Sequence, residues 1–506
     1  MSNAFTSNDD ASIDERVRTH ASEKGEAPYL LGARDGRVIT YRDLLRLTSD
    51  WQSRFEDEGV GVGCRVALSV SNPLEFAVCF ISCLRAGLWV VPFDDALEIS
   101  SPDLFDARAR QIGVRAVLSD AGGRSDVAMR WLPSPREMTE ASTTDALARA
   151  GVILTSSGTT GAPKVIALDE SRLVRAATLI ARHNDLRAND RGFNPLPLFH
   201  VNAEVVGLLA TLVAGSSIVL DQKFHRTAVW SIIDDLEVTW INAVPAIISR
   251  LIPLRPGERV PGSVRFCRSA SAPLAPALFA AFEATTSIPV VESYGMTEAA
   301  SQICANPVTG PRKVGSVGVA VGVAVRVTPL DGSSVPANTP GPLEIRGESV
   351  ITAYAGPGYE DRFNDGWLRT GDVGYVDDDG YVFLVGRNDD VINRGGEKIY
   401  PREIEEVLLA LPGVEMAVVI GRADDVFGQV PVAYVTLHNI NSDSPAESIA
   451  RHAKELSRAI EGQLVRARRP VAINIVEHLP LNATGKIQRT SLRSATPPVL
   501  FCGSVG

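Results

Sequence analysis

Short runs rich in β-branched and aromatic residues alternate along this chain with longer apolar stretches that carry helix-start signals, and that order leaves few folds open. Residues 65–70 are β-rich. Asn72, Pro73 and Glu75 then offer a capping side chain, a proline at the first helical position and an acid in the first turn. The apolar run that follows closes at Gly87, and residues 88–93 resume as a strand. The same strand, helix, strand order is expected over 194–199, 205–214 and 217–221, and again over 238–244, 272–282 and 289–294. Such a pattern predicts a large wound α/β body.

After about residue 341 the texture turns to short strands and acidic turns such as Asp377, Asp378, Asp379 and Gly380. A boundary is expected near residue 386. Beyond it, a helix over 401–411, strands over 416–420 and 431–437, a helix over 445–462 and a strand over 472–476 predict a compact α+β module. With 506 residues, the chain is too long for one ordinary core. The expected division is a multi-subdomain α/β body over 1–386 and a small α+β domain over 387–506.

A net charge of -10 gives no footprint for nucleic acid or an anionic membrane. The one basic cluster, Arg466, Arg468 and Arg469, reads either as a solvated helix end or as a grip on a phosphorylated ligand. Six cysteines without metal-ligand spacing suit a reducing cytoplasm. The most apolar stretch, 205–214, is too short to cross a bilayer and reads as a buried helix. Residues 1–12 carry no secretion signal and are expected to be disordered.

Four clusters carry chemistry. Leu154 to Lys164 includes Thr155, Ser156, Ser157, Gly158, Thr159, Thr160 and Gly161, a set of hydroxyl donors and permissive backbone that suits a polyphosphate and equally an ordinary turn. Its spacing fails the P-loop rule, because Pro163 precedes Lys164 and Val165 follows it. Next, Glu292, Ser293, Tyr294, Gly295, Met296, Thr297 and Glu298 follow an apolar strand ending at Val291, where a wound fold binds ligands; a solvated loop is the plainer reading. Asp372, after Gly371, has two acceptor oxygens suited to ribose hydroxyls or to a turn. Finally, Gly485 and Lys486 form a turn near the C-terminus.

Taken in order, these residues resemble the adenylate-forming superfamily of acyl-CoA synthetases, aryl-CoA ligases, firefly luciferase and peptide-synthetase adenylation domains. The resemblance runs from Ile39 to Arg489. It implies a three-subdomain α/β body with a small mobile C-terminal lid. It also implies that Thr155 through Lys164 close over the ATP phosphates, that Ser293 and Tyr294 lie at the nucleotide with Tyr294 beside the adenine, and that Thr297 binds phosphate. Glu298 would ligate Mg²⁺, Asp372 and Arg387 would hold the ribose, Asp389 would be the hinge, and Lys486 the catalytic lysine. His200 matches a gate beside the acyl pocket, although a histidine after an apolar run is often structural. Arg394 to Lys398, with Gly395, would meet the CoA pantetheine after the lid turns.

The implied reaction joins a small-molecule carboxylic acid to ATP as an acyl-adenylate, then transfers it to CoA or to the pantetheine of a separate carrier protein. Adenylation alone and a non-catalytic nucleotide sensor are the rival readings, and a homodimer is left open. Val165, Asp169, Glu170 and Pro342 depart from the family's usual residues, so packing on the nucleotide side is expected to differ. Ala243, Ala270, Ser271 and Ala272 predict a roomy acyl pocket, and Asn202 and Ala203 disfavour an α-amino acid.

Overall fold

A computed structural model describes residues 11–120, 126–132, 150–156, 164–252, 254–328, 335–438, 440–481, 487–494 and 497–504. The Asn72 side-chain oxygen accepts from the backbone N–H groups of Leu74 and Glu75 at 2.9 and 3.2 Å, and helix Pro73–Arg85 follows. This helix is the crossover between strands Arg65–Ser69 and Trp89–Pro92, which therefore lie parallel. They belong to a six-stranded sheet whose order is Ala128–Trp131, Ala116–Ser119, Arg65–Ser69, Trp89–Pro92, Gly151–Ser156 and Lys164–Asp169.

A nine-stranded sheet holds the parallel run Val290–Met296, Phe266–Ser269, Trp240–Ala243, Arg191–Asn194, Ser217–Leu220 and Pro28–Gly32. From Arg191–Asn194 the chain crosses to Ser217–Leu220 on one side and then to Trp240–Ala243 on the other. The strand order thus reverses at Arg191–Asn194. Wound α/β folds bind ligands beyond the carboxyl ends of strands at such a reversal. A smaller antiparallel sheet follows, built on Gly341–Arg346, Trp367–Val376 and Val382–Arg387.

From Ile392 onward the buried apolar residues form their own groups, apart from those of the body, which end at Val382. Strands Val414–Asp424, Gly428–Leu437, Ala472–Val476 and Val499–Ser504 pair side by side, with helices Pro401–Leu409 and Ala446–Gln463.

Several elements differ from expectation, each for a local reason. The strand expected over 194–199 is Arg191–Asn194; Pro195 and Pro197 have no N–H for a central ladder. The helix expected over 205–214 begins as a π-helix, Asn202–Leu209, before α-helix Ala210–Ala214. The helix expected from 272 starts at Pro276, because Ala275, the residue before that proline, is extended at ψ 135°. The strand expected over 289–294 is present and runs on to Met296, so residues 292–296 are strand and not the loop of the plainer reading. Asp372 likewise sits inside strand Trp367–Val376, and the turn lies earlier, at Asp365 and Gly366. Ser12 is not disordered; it caps helix Ile13–Lys24 in a reciprocal pairing with Glu15. Residues 1–10 lie outside the described residues.

Of the basic cluster, Arg466 is exposed, while Arg468 and Arg469 are tied back to the protein. Arg468 pairs with Glu403 at 2.7 Å, and Arg469 donates to the carbonyls of Leu464 and Glu461. The family departures also have structural work. Asp169 caps helix Glu170–His183, and Glu170 accepts the Ile13 N–H at 2.7 Å, tying the first helix to the body. Pro342 sits at a register shift, where a missing N–H is tolerated. Val165 packs beside the buried group containing Trp89 and Ile153.

Candidate active site

Strands Gly151–Ser156 and Lys164–Asp169 pair with Thr155 opposite Val165 and Ser156 opposite Lys164. Ser157, Gly158, Thr159 and Thr160, which join them, lie outside the described residues. Thr155 is exposed. The Lys164 ammonium stands 5.4 Å from the ring centre of Tyr354 and 5.1 Å from that of Tyr359. Burial lowers its pKa and Arg362 pushes the same way, while Glu298 opposes them.

Glu298 is buried in the short 3₁₀ turn Thr297–Ala299, which also carries the half-buried Thr297. The Tyr354 hydroxyl donates to Glu298 Oε1 at 2.9 Å. Tyr354 therefore touches both the lysine at the end of the hydroxyl-rich loop and the carboxylate expected to hold a metal. The turn is placed by Gly295: a Cβ there would lie 1.4 Å from the Ser301 carbonyl oxygen. No side chain fits, so only glycine lets strand Val290–Met296 fold back so tightly on Ser301–Ala305.

On the same strand, the Tyr294 hydroxyl donates to Asp372 Oδ2 at 2.5 Å. Burial, and then the Asp372 charge, raise the phenol's pKa, so it remains a donor. Arg387 lies directly across the ladder from Asp372, with Nε 3.5 Å from Oδ1. Arg362 and Arg387 both reach Gly371, within 3.1 and 3.4 Å of where a Cβ would stand. Lys164, Arg362 and Arg387 thus supply positive charge around a site whose carboxylates are Glu298 and Asp372. That donor set suits a polyphosphate and ribose, with a carboxylate left for a divalent cation.

Ser293 donates to the Ser269 carbonyl at 3.1 Å, tying two parallel strands at their carboxyl edge. His200 follows the loop that leaves Arg191–Asn194, at the reversal of strand order. Its ring centre is 4.5 Å from that of Phe199, and its buried Nε2 has no partner. Burial lowers its pKa to about 4, so the imidazole is neutral at pH 7. Nearby, Asn202 Nδ2 lies 3.4 Å from Ser271 Oγ.

The structure does not bring Gly395 to this cluster. It sits at φ 59° in the hairpin of Ile392–Arg394 and Glu397–Ile399, its N–H donating to the Phe427 carbonyl. Asp389 lies in the turn Asn388–Asp390, near enough for its charge to act on Lys164. Lys486 lies outside the described residues. Sequence reasoning missed Tyr354, Tyr359 and Arg362, which come from a stretch of glycines and turns without periodicity; two tyrosines among those glycines were the only signal.

The family of AMP-binding enzymes matches residues 17–355, and the AMP-binding enzyme C-terminal domain matches 403–486. The chain is 33% identical to a sulfoacetate–CoA ligase of Cupriavidus necator, over 94% of this chain and 96% of that one. It is 32% identical to an oxalate–CoA ligase of Arabidopsis thaliana, over 86% and 88%. The o-succinylbenzoate CoA synthetase of Bacillus subtilis, solved with its acyl-adenylate intermediate, superposes with a TM-score of 0.78 at 26% identity, covering 95% of this chain and 98% of that one. The chain therefore belongs to the AMP-binding enzymes, the adenylate-forming superfamily, on its acyl-CoA synthetase branch.

Proposed function

We propose that the protein is an AMP-forming acid–CoA ligase that works in two half-reactions at one site. In the first, a carboxylate oxygen of the acid attacks the α-phosphorus of ATP and pyrophosphate leaves. Both reactants are anions, so approach is opposed until positive charge offsets it. Lys164, Arg362 and Arg387 lie where the phosphates of a nucleotide held by Tyr294 and Asp372 would extend. Asp372 accepts the Tyr294 hydroxyl on Oδ2, and as a two-oxygen acceptor it is the group proposed to bind the ribose hydroxyls. Glu298 would hold Mg²⁺, which supplies charge neutralisation at the phosphates. Lys486 acts on the α-phosphate, with Thr297 and the 155–160 hydroxyls as further phosphate donors.

In the second half-reaction the CoA sulfur bonds to the acyl carbon, the carbon–oxygen bond to phosphate breaks, and AMP departs. The domain from about residue 387 turns on Asp389, withdrawing Lys486 and presenting Gly395 to the pantetheine arm. The neutral His200 ring flanks the acyl group as an uncharged wall. Six free cysteines, four of them buried, fit a reducing cytoplasm.

The observation that carries this reading is the tyrosine pair that links the motifs: Tyr354 joins Lys164 to Glu298, and Tyr294 binds Asp372. The test is acid-dependent pyrophosphate release across a library of organic acids, with mass spectrometry of products. The expected products are an AMP ester without CoA and an acyl-CoA with it. An AMP ester that never passes to CoA points to adenylation alone or to a carrier-bound thiol. ATP binding without pyrophosphate release from any acid contradicts the proposal.

A further inference from the structure

Arg268 is a deeply buried cation that no carboxylate among the described residues balances. It lies in strand Phe266–Ser269, is 1% exposed, and among the described residues its side chain bonds to neutral amides. Nη1 reaches Asn202 Oδ1 at 3.0 Å and Asn242 Oδ1 at 3.4 Å, and Nη2 reaches Gln302 Oε1 at 3.3 Å. Nε has no partner. A guanidinium keeps its proton under all ordinary conditions, and a buried cation without a counter-charge costs several kcal/mol. Among the described residues no carboxylate forms an ion pair with it. Glu204, on the neighbouring π-helix, has both oxygens unpartnered, and burial pushes its pKa far up, so it holds its proton.

The place of this cation is as telling as its charge. Asn202, which takes Nη1, lies two residues after His200, and its amide also meets the exposed Ser271. Ser269, next to Arg268, receives the Ser293 hydroxyl. The guanidinium therefore sits beneath the carboxyl edge of the sheet, between the His200 loop and the Tyr294 strand, where the acyl group of the proposed reaction must lie. Its free Nε edge is the side of the fork that grips a carboxylate or sulfonate through parallel N–H bonds.

We propose that Arg268 anchors a second anionic group on the acid, so that the protein activates acids carrying two negative charges, such as dicarboxylates or sulfocarboxylates. This rests on the CoA-ligase reading and names its substrate class. One acid group is adenylated; the other supplies the counter-charge that the fold leaves out. Arg268 is thus a specificity-determining residue, held in place by Asn202, Asn242 and Gln302.

The test compares kcat/KM for acid-dependent pyrophosphate release within matched pairs: oxalate, malonate, succinate and 2-succinylbenzoate against their monomethyl esters, and sulfoacetate against methylsulfonylacetate. The dianion of at least one pair is expected to win by roughly 100-fold, the loss typical when one partner of a buried charge pair is removed. Arg268→Met should bring that ratio to within about threefold through the KM for the acid, with the KM for ATP unchanged, and Arg268→Lys should keep part of it. Wild-type enzyme that handles the monoanion as well as the dianion overturns the proposal, whether or not the variants fold. So does Arg268→Met that lowers both members equally. An enzyme that adenylates monoanionic acids alone overturns this inference and leaves the ligase reading standing; one that adenylates no acid overturns both.

Discussion

At the scale of single residues, the site depends on side chains that bridge motifs far apart in sequence. Tyr354 is the sharpest case, because one hydroxyl orients the buried Glu298 while its ring faces Lys164. Tyr354→Phe keeps the ring and removes the hydrogen bond. It should lower kcat/KM for ATP by about tenfold, the worth of one hydrogen bond to a charged group, and leave the KM for the acid nearly unchanged. Unaltered ATP kinetics would refute that role. Glu292 makes a second prediction. Burial, against the opposing charge of Arg402, raises its pKa to about 7. The folded protein then keeps a proton that the unfolded chain releases at about pH 4.3. Its contribution to stability is therefore full below that pH and is lost as pH rises to about 7, by an amount on the order of 3–4 kcal/mol. Glu292→Gln should flatten this part of the stability–pH curve; chemical denaturation at pH 5 and pH 8 measures it, and an unchanged slope is the contrary result.

At the scale of elements, periodicity and caps made the wound body legible, and they failed where chemistry bends the chain. Helix Pro73–Arg85 starts at its predicted cap, and strand Ala472–Val476 falls where expected. The motif strand, expected over 289–294, runs on to Met296, past Gly295, which reads as a turn residue. Gly295 is there for close backbone approach, which reads in sequence as a turn. Lys164, Tyr294, Glu298, Asp372 and Arg387 were visible as motif residues. Tyr359 and Arg362 were not, since their place depends on how an irregular stretch packs over the sheet. Glu170 gives the prediction at this scale. It accepts the Ile13 N–H and secures the first helix, so Glu170→Ala should cost roughly 1 kcal/mol, seen as a lower denaturation midpoint. An unmoved midpoint would mean that this tie contributes nothing.

At the scale of the whole molecule, the buried apolar groups up to Val382 and from Ile392 pack separately, and charges beyond residue 387 act on residues of the body. Arg402 of the C-terminal helix influences Glu292 of the body, and Asp389 influences Lys164. Such cross-boundary effects are what a turning domain would change. Asp389→Pro should leave pyrophosphate release largely intact while blocking transfer to CoA, because proline restricts the backbone rotation that the proposed hinge requires. Normal CoA transfer in that variant would contradict the hinge assignment. The most direct measurement of the central claim is a rapid-quench single turnover, followed by mass spectrometry, with an acid found to release pyrophosphate. An acyl-AMP should rise, and should decay into acyl-CoA and AMP only when CoA is present. Formation of ADP and phosphate, or of acyl-CoA with no AMP ester preceding it, would show that the chemistry runs by another route.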